Sequence, residues 1–182
     1  MANGTLKVSN IQTSSGSGTI TLGQSGETVN IPSGTTVSGA GANTPAFSLT
    51  NSVAQSIPHA TFTKLTFDTE DYDTDNCVTS DRFTPTTAGK YVFTVNLCYS
   101  NLNNTDHRIL VSLYKNGGFI LAMGDLAANT DSGADPSMCL TQTFEANGTS
   151  DYFEAYAYQD TGSSHDTFAG RNKFMAHRLI GV

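Results

Sequence analysis

Positive charge is scarce in this 182-residue sequence, where nine Lys and Arg stand against sixteen Asp and Glu for a formal net charge of −7. Polynucleotides are held chiefly by basic side chains on phosphates, so no nucleic-acid partner is expected. No stretch approaches the roughly 20 apolar residues of a membrane-spanning helix, and no membrane insertion is expected. Met1-Ala-Asn-Gly has neither a basic start nor an apolar run. A secretory leader is therefore not expected, and the chain is expected to stay where it is made or to leave inside a virus particle. Cysteine is limited to Cys77, Cys98 and Cys139, odd in number, far apart and without a C-x-x-C pair. Free buried thiols of a reducing cytoplasm are expected in place of a disulfide framework.

Catalytic signatures are missing as well. There is no G-x-S-x-G elbow, no phosphate loop and no dinucleotide fingerprint, and His59, His107, His165 and His177 are scattered without metal-ligand spacing. An enzyme is not expected.

Charge nearly vanishes from the first third: residues 1–58 carry only Lys7 and Glu27, and Gly, Ser, Thr and Asn dominate. From Lys64 onward charged residues become frequent, which sets a boundary near Asn51 to Pro58 and two regions, 1–58 and 59–182. Short β-type alternations punctuate the first region at Leu6-Lys-Val8, Ile20-Thr-Leu22, Val29-Asn-Ile31 and Thr35-Thr-Val37. Ile20 and Val29 are nine apart, as are Leu22 and Ile31, the mark of a repeated strand-turn unit. Such a segment is too poor in apolar surface to offset alone a backbone-ordering cost of about 1–2 kcal/mol per residue. Three copies wound about one axis could offset it, with Ile20, Leu22, Val29 and Ile31 at the seam. The alternative is an extended arm draped along a partner.

The second region reads as strands. Lys64–Phe67, Gly89–Tyr99, His107–Tyr114, Phe119–Met123, Ser137–Ala146, Ser150–Tyr158 and Lys173–Val182 are separated by polar turns. Asn116-Gly117-Gly118 and Asn147-Gly148 are hairpin signals, because Asn and Gly accept the positive φ of a tight turn. No window holds apolar spacings of three and four, so the fold class is all-β. Period two along Asp151–Tyr158 puts Phe153, Ala155 and Ala157 on a core face and Tyr152, Glu154, Tyr156 and Tyr158 on the other.

Phe83, Gly89, Tyr91 and Phe93 are spaced as Phe, five residues, Gly, one, Tyr, one, Phe, with Phe67 and Asp73 upstream and Thr167-Phe-Ala-Gly170 before a closing strand. Over residues 62–182 this pattern resembles the C1q-like domain, a jelly roll related to the tumour necrosis factor fold. The resemblance implies a jelly-roll sandwich that associates around a threefold axis, and it places Tyr156 and Tyr158 near that seam. A low-charge, leaderless chain with a repetitive β stalk and such a knob also resembles a bacteriophage-type virion structural protein. What this implies is a homotrimeric short fibre, assembled in the host cytoplasm and carried in the virion. Residues 1–58 would meet tail or capsid-shell proteins, and the knob would attach to a host-surface glycan or protein. A capsid decoration or head-fibre protein that clamps the shell is the alternative; a secreted C1q-like signalling protein is a third class.

Loops supply the candidate receptor contacts: Asp71–Asn76 with Tyr72, Asp73 and Asp75, Asn101–Asp106 with Asn103 and Asn104, Asn129–Asp135 with Asp131, and Asp160–Asp166 with His165. Aromatic Tyr72 in an acidic loop is the leading anchor. Asp71-Tyr-Asp73-Thr-Asp75-Asn76 also imitates the first half of a calcium loop, although the position that needs a bidentate Glu is Arg82. Asp71, Asp73 and Asp75 are thus a calcium candidate, with a solvated acidic loop as the other reading. No other cofactor or metal is expected.

Overall fold

The computed structural model describes residues 9, 11–12, 18–35, 43–102, 108–123 and 134–180. The chain divides into two compact units, Met1–Ala40 and Gly41–Val182. In the first unit two turns are described, eight residues apart where the apolar pairs are nine apart. Glu27 N donates to Gln24 O at 3.0 Å, the Glu27 carboxylate accepts from Gln24 N at 2.7 Å, and Thr35 N donates to Pro32 O at 3.2 Å. Gly26 and Gly34 take the positive φ of these turns. The runs between the turns have no ladder partner among the described residues, and Ile20, Leu22, Val29 and Ile31 are 42 to 62% exposed. The alternation at Leu6–Val8 and the end of the one at Val37 lie outside the described residues.

The second unit is built from β1 (Ala46–Thr50), β2 (Ser56–Ile57), β3 (Thr63–Lys64), β4 (Thr69–Asp73), β5 (Val78–Thr79), β6 (Arg82–Phe83), β7 (Gly89–Cys98), β8 (Ile109–Lys115), β9 (Gly118–Met123), β10 (Ser137–Ala146), β11 (Phe153–Gln159), β12 (His165–Asp166) and β13 (Lys173–Arg178). No described residue is helical. One sheet runs β10-β7-β13-β1-β4, the other β5-β6-β11-β8-β9 with β3 also on β11, and β12 pairs with β2. The paired strands are antiparallel. Large side chains from the two sheets meet in one core: Phe47, Tyr91, Phe93 and Phe174 from the first, Phe83, Val111, Leu113 and Phe153 from the second, all fully buried. The alternation read along β11 is observed, with Phe153, Ala155 and Ala157 at 0 to 1% exposure.

Three sequence expectations are corrected. The boundary near residues 51–58 falls inside the second unit, because β1 pairs with both β13 and β4 and buries Phe47 and Leu49, while Ile57 is also core. Ala46–Thr50 is uncharged because it is interior, not because it links domains. Cys139 is exposed, since it points outward from edge strand β10; Cys77 and Cys98 are buried as expected. Asn116-Gly117 does close a hairpin, β8 to β9, with φ of 54° and 77°. Asn147-Gly148 does not, because β10 and β11 belong to different sheets and the turn carries the chain across the sandwich.

That crossing is built tightly. The Asn147 side-chain oxygen accepts from the backbone N–H groups of Thr149, Ser150 and Asp151 at 2.9 to 3.0 Å. A Cβ on Gly148 would lie 2.2 Å from Ala88 N, at φ 72°, whereas one on Gly162, at φ 93°, would meet nothing within 4 Å. Gly148→Ala is therefore expected to cost more than about 3 kcal/mol, and Gly162→Ala only about 1 kcal/mol of backbone strain, compared by urea unfolding.

Candidate binding surfaces of the knob

The strand registers give the sandwich two ends. At one, Cys98 leads into a knot in which Tyr99 N donates to Pro136 O at 3.0 Å, Ser100 N to Asp166 O at 2.9 Å, Leu102 N to Ala134 O at 2.9 Å and Asn101 N to the Asp135 carboxylate at 3.0 Å. Arg171 pairs with Asp135 at 3.3 Å and stacks 3.7 Å over Phe168. Asp160 accepts from Arg108 N at 2.6 Å. Buried Gln159 ties this end down, donating to Ile57 O and Ser163 O and accepting from Thr161. The described ends of the Asn101–Asp106 and Asn129–Asp135 loops and the Asp160–Asp166 loop therefore lie at this end. Asn103, Asn104 and Asp131 themselves lie outside the described residues. His165 lies in β12 opposite Ile57, half-buried, its Nε2 3.4 Å from Ser163 Oγ.

Tyr72, Asp73 and Asp75 sit elsewhere. The expected loop begins as edge strand β4, where Tyr72 pairs with Ser48 and is 49% exposed, and the turn after it lies at the opposite end, where Thr74 N donates to Ala46 O. An acidic run reads as loop because strand formers are few in it. It forms a strand here because its charges face outward and are matched across the sheet. The Asp71 carboxylate accepts from Ser48 at 2.8 Å, Thr50 at 3.2 Å and Lys173 at 3.3 Å. The hydrogen bonds of Ser48 and Lys173 hold it below the usual carboxylate range. Asp73 accepts from Val78 N at 2.7 Å, and Asp75 is exposed in the turn. The three carboxylates do not converge on a common point, and among the described residues no three His, Cys, Asp or Glu side chains cluster to hold a metal.

A different surface covers the outer face of the six-stranded sheet. Tyr156 and Tyr158 are half-buried in it, each packed against a neighbour from its own chain. Tyr156 stacks on Tyr114 with centroids 4.0 Å apart, and Tyr158 lies 4.8 Å from Phe62. Phe119 completes the group, 5.8 Å from Tyr114 and 6.2 Å from Phe62. Phe62 is 40% and Phe119 54% exposed. Tyr114, Phe119 and Phe62 escaped sequence reasoning, although the Asn116-Gly117 hairpin together with period two would have set Tyr114 opposite Phe119.

Beside the rings, Glu154 is almost wholly buried on the same face, 2.9 Å from Lys64 and 3.0 Å from Arg82. Arg82 also stacks 3.8 Å over Tyr152. Burial pushes the Glu154 carboxyl up, but the hydrogen bonds and charges of Lys64 and Arg82 outweigh it and leave the group below its ordinary value. At the end bearing the β10–β11 turn, Lys115 and Asn116 hold Asp151 low in the same way, with Lys115 2.8 Å away.

No family model matches the chain, and no curated protein matches it. Solved structures do resemble it. Eiger TNF from S. frugiperda has a TM-score of 0.52 at 12% identity, over 75% of this chain and 93% of its own. Murine APRIL at pH 8.0 has a TM-score of 0.53 at 11% identity, over 74% of this chain and 98% of its own. The second unit is a TNF-like jelly roll. The sandwich implied by the C1q-like pattern is thereby established, at identities that speak for the fold alone.

Because Glu154 and Asp151 titrate below their ordinary values of 4.5 and 3.8, their contribution to stability is complete above those values. It is lost as the pH falls below them through the lower folded-state values. Glu154→Gln is expected to cost about 1–3 kcal/mol at neutral pH and to flatten the acid limb of a stability–pH profile measured by denaturant unfolding.

Proposed function

We propose that the chain is a non-enzymatic, homotrimeric binding protein of a virion, with residues 1–40 anchoring it to tail or shell proteins and the jelly roll displayed for attachment to a host surface. The observation that carries this reading is the row Ile20, Leu22, Val29 and Ile31, regularly spaced and exposed in the single chain ahead of a TNF-like knob. Fully burying each such side chain is worth about 1.5–3 kcal/mol, which a threefold bundle of identical arms gains and a lone arm forgoes.

The knob supports a threefold partnership of its own. Edge strand β10 runs ten residues with no ladder partner on one side among the described residues, Met138 and Phe144 on it are only half-buried, and inward-facing Gln142 is exposed. We place the seam at this unclosed flank in preference to Tyr156 and Tyr158, whose rings are packed within their own chain. The jelly roll begins at Ala46, at the end of the sandwich opposite the knot that holds Asn101, Asp135, Asp160 and His165. Three identical loop sets on one particle then bind repeated surface groups together more tightly than one would.

Capsid decoration is the second reading, favoured by an arm almost without charge, which suits lying along a shell. Sedimentation of the full chain is expected to give a trimer that Leu22→Asp with Ile31→Asp weakens; a stable folded monomer would refute the proposal. Imaging labelled copies on particles separates the readings, tail placement supporting attachment and threefold shell positions supporting decoration.

A further inference from the structure

We propose that His59 is a pH-operated latch on the turn of residues 160–164, closed while its imidazole is neutral and released when the ring takes a proton. The latch needs nothing from the attachment reading, because it is a backbone contact within one chain. Its decisive contact is Gly162 N, which donates to His59 Nδ1 at 3.0 Å. A ring nitrogen accepts only through a free lone pair, so the bond exists with the proton on Nε2 and Nδ1 bare. In the imidazolium both nitrogens are donors. Two N–H groups then face each other, and the bond is lost.

The surrounding chain leaves this bond in control of the turn. One flank is held at any pH, since buried Gln159 accepts from Thr161 N at 2.8 Å and Thr161 Oγ1 at 2.6 Å and donates to Ser163 O at 2.8 Å. The apex, Gly162 to Ser164, is exposed, and a Cβ on Gly162 would meet nothing within 4 Å. With a φ of 93° and no side chain, Gly162 can turn its N–H away without a steric penalty. The backbone of His59 is fixed, bridged to Gln159, with Ala60 N donating to Gln159 O at 2.7 Å. The ring is thus presented to the turn by the strand from which the turn leaves.

The titratable and charged groups on the elements around the ring are Tyr158 of β11, Asp160 of the turn, His165 and Asp166 of β12, and Arg108 ahead of β8. Asp160 accepts from Arg108 N, and among the described residues neither His59 nor His165 has an ion-pair partner. His165 meets the same turn from β12, its Nε2 3.4 Å from Ser163 Oγ. A hydroxyl donates to a neutral ring or accepts from a charged one, so that contact survives protonation where the Gly162 contact does not. Acidification therefore places positive charge on two sides of a turn that has lost the bond at its apex.

The test uses the intact, isotopically labelled full-length protein and follows the Gly162 amide and the His59 ring by NMR from about pH 8 to about pH 5, the interval in which histidine ordinarily changes charge. The Gly162 amide proton is expected to move upfield with the same midpoint as the His59 ring. Its protection from solvent exchange, corrected for the pH dependence of a free amide, is expected to fall about fivefold. His59→Asn keeps an uncharged acceptor near the place of Nδ1 and is expected to hold the Gly162 signal at its high-pH position throughout. His59→Ala is expected to hold it at the low-pH position throughout, and His165→Ala to leave the Gly162 titration in place. Circular dichroism is expected to show the variants folded. A Gly162 signal that does not follow the His59 ring in the wild type, or that titrates alike in the wild type and His59→Ala, would overturn the proposal. So would a Gly162 titration that His165→Ala abolishes and His59→Ala keeps, which would assign it to His165.

Discussion

Phe93 is where the two sheets of the knob are locked together. Its ring lies 4.3 Å from Phe153 across the sandwich and within 6.1 to 6.5 Å of Phe83, Tyr91, Phe144 and Phe174. Aromatic pairs at such distances add to the burial of their area, and cores at native density tolerate little change of volume. Gly89 starts the strand that carries Phe93, and the Phe83 spacing brings its partner from the opposite sheet. The motif that resembles the C1q-like pattern is therefore the core contact itself, read along β6 and β7. Loop ends and the outer aromatic face keep their geometry because this contact fixes the separation and twist of the layers beneath them.

The outer faces of the two sheets solve the solvent problem differently. On the five-stranded sheet, hydroxyls and isolated ion pairs dominate, as where Asp71 gathers Ser48, Thr50 and Lys173. On the six-stranded sheet, rings and one charged trio take their place. Tyr91 shows how costly a buried phenol is to ionise, its pKa pushed up to about 12 by burial while its hydroxyl donates to Thr87 O. Tyr114 and Tyr156 are shifted upward for the same reason, so the aromatic strip stays neutral across the physiological range.

Legibility in the sequence followed the range of the interaction responsible. The core face of β11 could be read because period two is a property of one strand, and the β8–β9 hairpin because Asn116 and Gly117 carry their own backbone preference. Asn147-Gly148 announced a turn, yet local chemistry says nothing about which sheet receives the next strand. Charge counts misplaced the front of the knob, since Ala46–Thr50 is bare of charge through burial between two neighbours distant in sequence. The acidic run Asp71–Asn76 reads as a loop because the cation that balances Asp71, Lys173, stands 102 residues further on. Phe62 joined the candidate surface only through folding, for nothing near it in sequence shows that Tyr158 and Phe119 lie beside it.

The central position of β1 has a practical consequence for dissecting the molecule. A fragment cut at residue 59, where composition changes, would excise an inner ribbon of a five-stranded sheet and leave β13 and β4 each with an orphaned hydrogen-bonding edge. It would also remove Phe47, whose ring stacks 4.5 Å from Phe83, opening a void at the join between layers. Such a truncation product is set to aggregate through its raw edges, and a severed knob that keeps its shape must retain Pro45, whose carbonyl accepts from Arg178 N, and all of β1.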